Sequence, residues 1–153
     1  IGTLCAQSKT DCVILSRDKD LMQLIRAECA PEAKGAPSCT MWYDEKWTGP
    51  AEVLEKFGVL PTHVVDVMGL MGDSTDGIPG VPGVGEKTAI ALIRYFQNLE
   101  GLFDNLPDVE KLPIRAAARV RKTLEQGREI AFLSRELATI RTDIDLDDKE
   151  NPI

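Results

Sequence analysis

The sequence predicts an α/β fold, with a small sheet near its start and a mainly helical region after it. Residues 12–16, Cys-Val-Ile-Leu-Ser, form a short apolar run that is typical of a strand covered on both faces. An acidic turn follows, and residues 21–25 then carry apolar side chains at helical spacing. Beyond residue 50 most apolar residues recur at helical spacing, which predicts that helices dominate there.

The remaining elements follow in chain order. Residues 29–40 are rich in Pro and Gly and predict a loop, and residues 41–43 predict a strand edge. Helices are expected over about 50–57, from Thr62 as N-cap to 71, from Thr88 to 96, over 99–105 and over 113–138. Partial alternation over 140–146 predicts a final strand. The expected domains are 1–60 (sheet), 61–139 (helices) and 140–153 (final strand and acidic tail).

Composition restricts the class of protein. The 153 residues suit about one domain, and a chain that starts at Ile1 is expected to be a piece of a longer protein. No apolar run approaches the ~20 residues of a membrane span, so no membrane partner is expected. The four cysteines form no Cys-x-x-Cys pair, and His63 is the single histidine. This pattern argues against a zinc site and favours reduced thiols in a cytoplasmic protein.

Charge is distributed unevenly along the chain. The net charge is −7, yet residues 111–141 hold eight Lys or Arg against three Glu. Arg115, Arg119 and Lys122 fall on one stripe at i, i+4 and i+7, and are candidates for contact with a nucleic-acid backbone. The alternative is an ordinary solvated helix face.

The run from Gly80 to Gly85, followed by Lys87 and Thr88, indicates a phosphate-binding turn between two helices. Glycine lets a ligand approach the backbone, and the free amides of a first helical turn attract phosphate oxygens. The spacing fits neither a Walker loop nor a dinucleotide fingerprint. The alternative is a plain turn held by packed Ile78, Val81 and Val84. The candidate DNA-binding residues are Gly80, Val81, Gly83, Val84, Gly85, Lys87 and Thr88.

Two pairs of carboxylates are candidate metal ligands. Asp18 and Asp20 follow the first strand, and Asp73 and Asp76 follow a helix. Carboxylate oxygens suit Mg²⁺ or Mn²⁺, and a cation would offset their repulsion. In the alternative, Asp20 caps the next helix and Gln23 is the second residue of a capping box, and Asp76 is only a turn residue.

Two stretches resemble the signatures of the 5′→3′ exonucleases and flap endonucleases. They are Ser16-Arg-Asp-Lys-Asp-Leu-Met-Gln-Leu24 and Met71-Gly-Asp-Ser-Thr-Asp-Gly-Ile-Pro-Gly-Val-Pro-Gly-Val-Gly-Glu-Lys-Thr-Ala89. The chain is most similar to the C-terminal portion of the 5′-nuclease domain of bacterial DNA polymerase I. This resemblance implies part of a PIN-like nuclease sheet joined to a helix–three-turn–helix over 61–98, next to the helical arch.

The resemblance also implies an activity, which is divalent-metal-dependent phosphodiester hydrolysis on duplex, nicked or 5′-flap DNA. It places Asp18, Asp20, Asp73 and Asp76 around two Mg²⁺ or Mn²⁺ ions, with no side-chain nucleophile. It also implies that the turn 77–88 binds the DNA duplex, with K⁺ as a further ion. A linked polymerase domain and a place in the bacterial nucleoid are implied as well.

The metal ligands that this family carries upstream have no counterpart in these residues. We therefore expect that this stretch holds only part of the metal site and does not cleave DNA by itself. The alternative function is a non-catalytic helix-hairpin-helix module that binds DNA.

Overall fold

The computed structural model describes residues 1–26 and 37–146. The chain divides into two compact units, one formed by residues 1–49 with 140–153 and the other by Pro50–Thr139. We call the first the sheet unit and the second the helical unit. The division expected from the sequence, with boundaries after residues 60 and 139, remains a prediction.

The sheet unit contains three strands in the order β1-β2-β3, namely β1 (Cys12–Leu15), β2 (Cys39–Tyr43) and β3 (Lys46–Thr48). Strand β1 pairs with β2 in parallel, and β3 pairs with β2 antiparallel. A short helix, α1 (Gly2–Gln7), precedes β1. Strand β1 lies where it was predicted, but Val13 and Leu15 are 56% and 78% exposed. In the described residues, therefore, β1 is covered on one face and not on both.

Three further details of this unit differ from the expectations. The helix after β1 is a 3-10 helix, Lys19–Leu24, and not an α-helix. Strand β3 was not predicted, because Asp44 and Glu45 turn the hairpin at positive φ, where the usual signal is Asn or Gly. Residues 140–146 form no strand. Their amides instead bond to side chains, Ile140 N–H to Gln23 Oε1 at 2.9 Å and Ile144 N–H to Thr3 Oγ1 at 3.2 Å.

The helical unit contains five α-helices in the described part of the chain. They are α2 (Pro50–Phe57), α3 (Val64–Met71), α4 (Glu86–Phe96), α5 (Leu99–Asp104) and α6 (Ala117–Ala138). Leu70, Leu92, Leu99, Leu102 and Leu124 are fully buried and form much of the core. None of the described helices combines the length and the apolar character that crossing a bilayer requires.

Two helix starts were predicted too early. A 3-10 turn, Pro61–His63, precedes α3, so His63 and not Thr62 occupies the N-cap. Helix α6 begins at Ala117 and not at residue 113, because Ala116 has left-handed backbone angles of φ 57° and ψ 42°. A residue in that conformation interrupts a right-handed helix.

Helices α3 and α6 pack closely because small residues lie between them. A Cβ at Gly69 of α3 would lie 2.9 Å from the Ala131 carbonyl oxygen of α6, and a Cβ at Gly127 of α6 would lie 2.7 Å from Val81 Cγ1 in the turn that follows α3. Ser134 of α6 is also completely buried. Larger residues at these positions would force the helices apart.

Arg135 ties three helices of this unit together. It makes ion pairs with Asp66 of α3 at 2.9 Å and with Glu100 of α5 at 2.7 Å. Its guanidinium also lies 4.8 Å from the centre of the Phe132 ring. The hydrogen bond to Glu100 raises the pKa of Arg135, and the same bond lowers the pKa of Glu100. Asp66 is only 5% exposed, and besides this ion pair it accepts the Leu99 N–H at 3.3 Å.

Replacing Arg135 should therefore destabilise the protein strongly. We expect Arg135→Leu to lower the free energy of unfolding by about 3–5 kcal/mol, because the buried Asp66 carboxylate loses its counter-charge. Arg128→Leu is the control, since Arg128 is exposed and its contact with Asp104 is long, at 3.9 Å. That change should cost about 1 kcal/mol or less. Urea unfolding measures both, and equal losses would contradict the assigned role of Arg135.

Candidate nucleic-acid interface and acidic residues

The turn between α3 and α4 is closed by backbone contacts. Gly72 ends α3 at φ 72°, and Asp73 and Ile78 then exchange two backbone hydrogen bonds of 2.9 and 2.8 Å. The Val81 N–H donates to the Leu70 carbonyl oxygen at 2.7 Å, and the Gly80 N–H donates to Ser134 Oγ at 3.0 Å. Sequence reasoning missed Ser134, because one serine on a long helix carries no distinctive signal.

Part of the predicted DNA-binding set is engaged inside the unit. The amides of Gly80, Val81 and Val84 all donate to protein oxygens. Val81 and Val84 are each 3% exposed, and Ile78 is 8% exposed. The packing alternative therefore describes these residues correctly, and their amides are not available to a ligand.

Gly83 and Gly85 differ from the rest of the turn. Both are exposed, and a Cβ at either position would meet no atom within 4 Å. Gly83 has a φ of 81°, in the left-handed region that favours glycine, so its backbone conformation alone explains the glycine at this position. Gly85 has φ −87° and ψ 173°, an extended conformation that any residue adopts. Neither packing nor backbone strain within the chain requires a glycine at position 85.

Helix α4 starts directly after Gly85. The N–H groups of Thr88 and Ala89 donate to the Gly85 carbonyl oxygen at 3.0 and 2.9 Å. The amides of Glu86 and Lys87 precede this ladder, and Gly85 supplies no side-chain cap. Such first-turn amides carry partial positive charge and bind anions. The exposed side chain of Lys87 belongs to the same turn.

The start of α4 and the start of α6 line a common cleft of about 370 Å³. Gly83, Val84 and Thr88 form one wall, and Arg115 and Arg119 form part of the other. Arg115 lies just before α6, so it reaches the cleft from the left-handed turn at Ala116 and not from the helix. The described lining does not include Lys122.

Ion pairs distinguish the basic residues of this region. Five of the eight Lys and Arg between 111 and 141 pair with carboxylates. They are Lys111, Arg121, Arg128, Arg135 and Arg141. The described residues contain no ion pair of Arg115, Arg119 or Lys122, and all three are exposed. The three candidates chosen by spacing are thus the three for which the described part of the chain provides no ion pair.

The predicted metal ligands Asp73 and Asp76 lie within the turn itself. Asp73 is 6% exposed, and its Oδ1 accepts the Thr75 N–H at 2.9 Å. This bond and the bridge to Ile78 fix the orientation of Asp73. Asp76 is exposed at the tip of the turn. The two carboxylates therefore come from one short segment whose conformation is fixed by hydrogen bonds.

Asp18 and Asp20 lie in the sheet unit, at the carboxyl end of β1. Asp18 is exposed and is the N-cap of the 3-10 helix, because its side chain accepts the Asp20 N–H at 3.0 Å. Gln23 donates to the backbone oxygen of Asp20 at 2.9 Å. The alternative interpretation, in which Asp20 caps the helix, is therefore wrong. The capping residue is Asp18.

Known proteins are similar to this chain over most of its length. Residues 59–152 match the family described as 5′-3′ exonuclease, C-terminal SAM fold. A 5′-3′ exonuclease of Buchnera aphidicola subsp. Baizongia pistaciae is 37% identical over 149 residues, which are 95% of this chain and 47% of the relative. DNA polymerase I of Pseudomonas aeruginosa is 43% identical over 151 residues, which are 96% of this chain and 16% of the relative.

Solved structures have the same fold. A T5 5′-exonuclease structure with bound zinc ions aligns with a TM-score of 0.66 at 22% identity, covering 84% of this chain and 42% of that one. A T5 flap endonuclease in complex with DNA and metal ions aligns with a TM-score of 0.67 at 20% identity, covering 89% and 45%. The predicted α/β fold with a helical region is confirmed. The chain spans less than half the length of these relatives, and it belongs to the 5′-3′ exonuclease family.

Proposed function

We propose that this chain binds the backbone of duplex DNA through the α3–α4 turn and supplies carboxylates to the divalent-metal site of a 5′ nuclease. The observation that carries the proposal is the cleft in which the open turn faces Arg115 and Arg119. Its chemistry suits a phosphate, because helix-start amides and guanidinium groups are both donors with positive charge. These contacts read no bases, so the binding is independent of sequence.

The substrates proposed are duplex, nicked and 5′-flap DNA. Gly83, Gly85, Lys87 and Thr88 contact the phosphate, whereas Gly80, Val81 and Val84 position the turn. A K⁺ ion is part of the proposal: carbonyl oxygens of the turn would hold it, and it would supply positive charge near the DNA backbone. One structural neighbour is described as a complex with DNA, which supports this assignment.

Asp18, Asp20, Asp73 and Asp76 are proposed as ligands for Mg²⁺ or Mn²⁺. Their hard oxygen atoms fit these ions. The turn also fits the role, because bonds to Thr75 and Ile78 hold Asp73 in place and leave Asp76 exposed. Bound divalent ions activate water and stabilise the charge that develops on a scissile phosphate. In the parent protein the nuclease is joined to a polymerase domain, as the DNA polymerase I relatives suggest, and acts on chromosomal DNA.

Glycine substitutions separate binding from folding. We expect Gly85→Ala to weaken binding to a 5′-flap duplex by about tenfold, since its methyl group displaces a charge-assisted phosphate contact. Its stability should fall by about 1 kcal/mol or less, the size of a capping change. Gly80→Ala is the contrast, because its Cβ would clash with backbone atoms of Gly72 and Met71 and unfold the turn. Fluorescence anisotropy and thermal unfolding measure both. Unchanged affinity in Gly85→Ala contradicts the proposed grip.

The salt dependence of binding tests the two arginines. Each phosphate contact contributes about 0.9 to the slope of log K against log salt concentration. The double variant Arg115→Ala/Arg119→Ala should lower the magnitude of that slope by about 2. Arg121→Ala/Arg128→Ala is the matched control, because it also removes two charges and both arginines already pair with carboxylates. A slope that falls equally in both proteins would show a general effect of charge and no specific contact.

Metal binding tests the carboxylates. We expect Asp20→Asn and Asp76→Asn each to weaken Mn²⁺ binding by at least about tenfold. Changing a residue that only hydrogen-bonds to a metal ligand already costs about that much affinity, and losing a ligand costs more. Asp104→Asn, which removes a carboxylate that is 70% exposed, should leave the affinity unchanged. Calorimetric titration with Mn²⁺ alone gives these affinities. Equal affinities in all four proteins would remove Asp20 and Asp76 from the site.

A further inference from the structure

Three cysteines of the sheet unit converge at one point. The Sγ atoms of Cys5, Cys12 and Cys39 all lie within 4.8 Å of one another. Cys5 and Cys39 are buried and Cys12 is half-buried, and all three are free thiols. They come from three different elements, α1, β1 and β2. The spacing of the cysteines in the sequence therefore gave no sign of the cluster. The expectation against a zinc site rested mainly on that spacing and is not supported by the structure.

The backbone holds these residues in register. Cys12 and Cys39 are aligned partners in the parallel pairing of β1 with β2, so their side chains lie on the same face of the sheet. Arg26 fixes the third member, because its Nη2 donates to the Cys5 carbonyl oxygen at 2.7 Å. Arg26 also exchanges two backbone hydrogen bonds with Cys39, each of 3.0 Å. The three sulfur atoms are thus positioned by the sheet and by one arginine.

The geometry suits a thiolate-bound cation. Zn–S bonds of about 2.3 Å with tetrahedral angles place sulfur atoms roughly 3.8 Å apart, which falls within the observed limit. Cys5 and Cys12 also line a cleft of about 460 Å³ that reaches the surface and gives an ion a path of entry. Three sulfur ligands leave a fourth position for water or another donor.

The charges agree with this assignment. Three thiolates and one Zn²⁺ carry a net charge of −1, and the Arg26 guanidinium, whose Nη2 donates to the Cys5 carbonyl oxygen at 2.7 Å, provides a positive charge beside the cluster. Metal binding to thiols releases their protons, so the affinity of such a site rises with pH. Buried neutral thiols would otherwise act only as small apolar groups. Soft sulfur ligands also discriminate against Mg²⁺ and Mn²⁺.

We propose that Cys5, Cys12 and Cys39 form a binding site for one thiophilic cation, Zn²⁺, which is separate in chemistry from the carboxylates. The site lies in the sheet unit and shares no residue with the DNA-binding turn. It stabilises the sheet by joining α1, β1 and β2, because an ion that binds only the folded state adds its binding free energy to folding.

The test uses the full chain, reduced and freed of metal. Titration with Co²⁺ under anaerobic conditions should produce the intense sulfur-to-cobalt charge-transfer absorption, which Zn²⁺ then abolishes at one ion per chain. Zn²⁺ should also raise the unfolding temperature. This titration of the unchanged protein needs no variant. Absence of the absorption, or formation of a disulfide without bound metal, overturns the proposal.

Variants identify the ligands. Cys12→Ser and Cys39→Ala should each weaken Zn²⁺ binding by at least about 100-fold. That is the largest usual effect of changing a residue that hydrogen-bonds to a metal ligand, and a ligand itself matters at least as much. Gln7→Ala is the control, because Gln7 is an exposed residue of α1 and carries no sulfur, and this change should leave affinity and stoichiometry unchanged. Circular dichroism shows whether each variant is folded. Unchanged binding in folded Cys12→Ser or Cys39→Ala contradicts the assignment.

Discussion

The helical unit depends on one close backbone contact within the α3–α4 turn, where Gly80 meets Gly72 at the end of α3. A Cβ on Gly80 would overlap the Gly72 nitrogen, so only glycine allows the two backbone segments to meet. The Val81 N–H then reaches the end of α3, and the Gly80 N–H reaches Ser134 of α6. This one contact fixes the exit of α3, the entry of α4 and the neighbouring turn of α6. The cleft of the proposed DNA contact exists because these positions are fixed.

Packing and the proposed ligand binding are compatible in this turn because different residues carry them. Val81 and Val84 face inward and are buried, whereas Gly83 and Gly85 face outward and meet nothing. A turn that served packing alone would place an ordinary residue at position 85, where the backbone is extended and the space is open. The buried valines hold the exposed amides in a fixed orientation, and fixed donors lose little entropy when they bind an anion.

Sequence patterns predicted the parts of the structure that depend on local chemistry. The glycine-rich turn, α2 and β1 all follow from turn residues, caps and periodicity. The errors arose where tertiary contacts decide. Ala116 adopts a left-handed conformation that no pattern signals, and side chains of Gln23 and Thr3 take the amides of residues 140–146 that a strand would have used. The cysteine cluster was missed for the same reason, since strand register brings together residues that are far apart in sequence.

Charge pairing explains how an acidic chain can present a site for a polyanion. The net charge of −7 counts every ionised group, but a phosphate responds to charges that are nearby and not already neutralised. Arg121 pairs with Glu110 and Glu125, and Arg135 pairs with Asp66 and Glu100, so their charges serve the fold. Arg115 and Arg119 have no such partner among the described residues and lie beside the open turn. The distribution of ion pairs, and not the sum of charges, therefore determines where the proposed DNA-binding site lies.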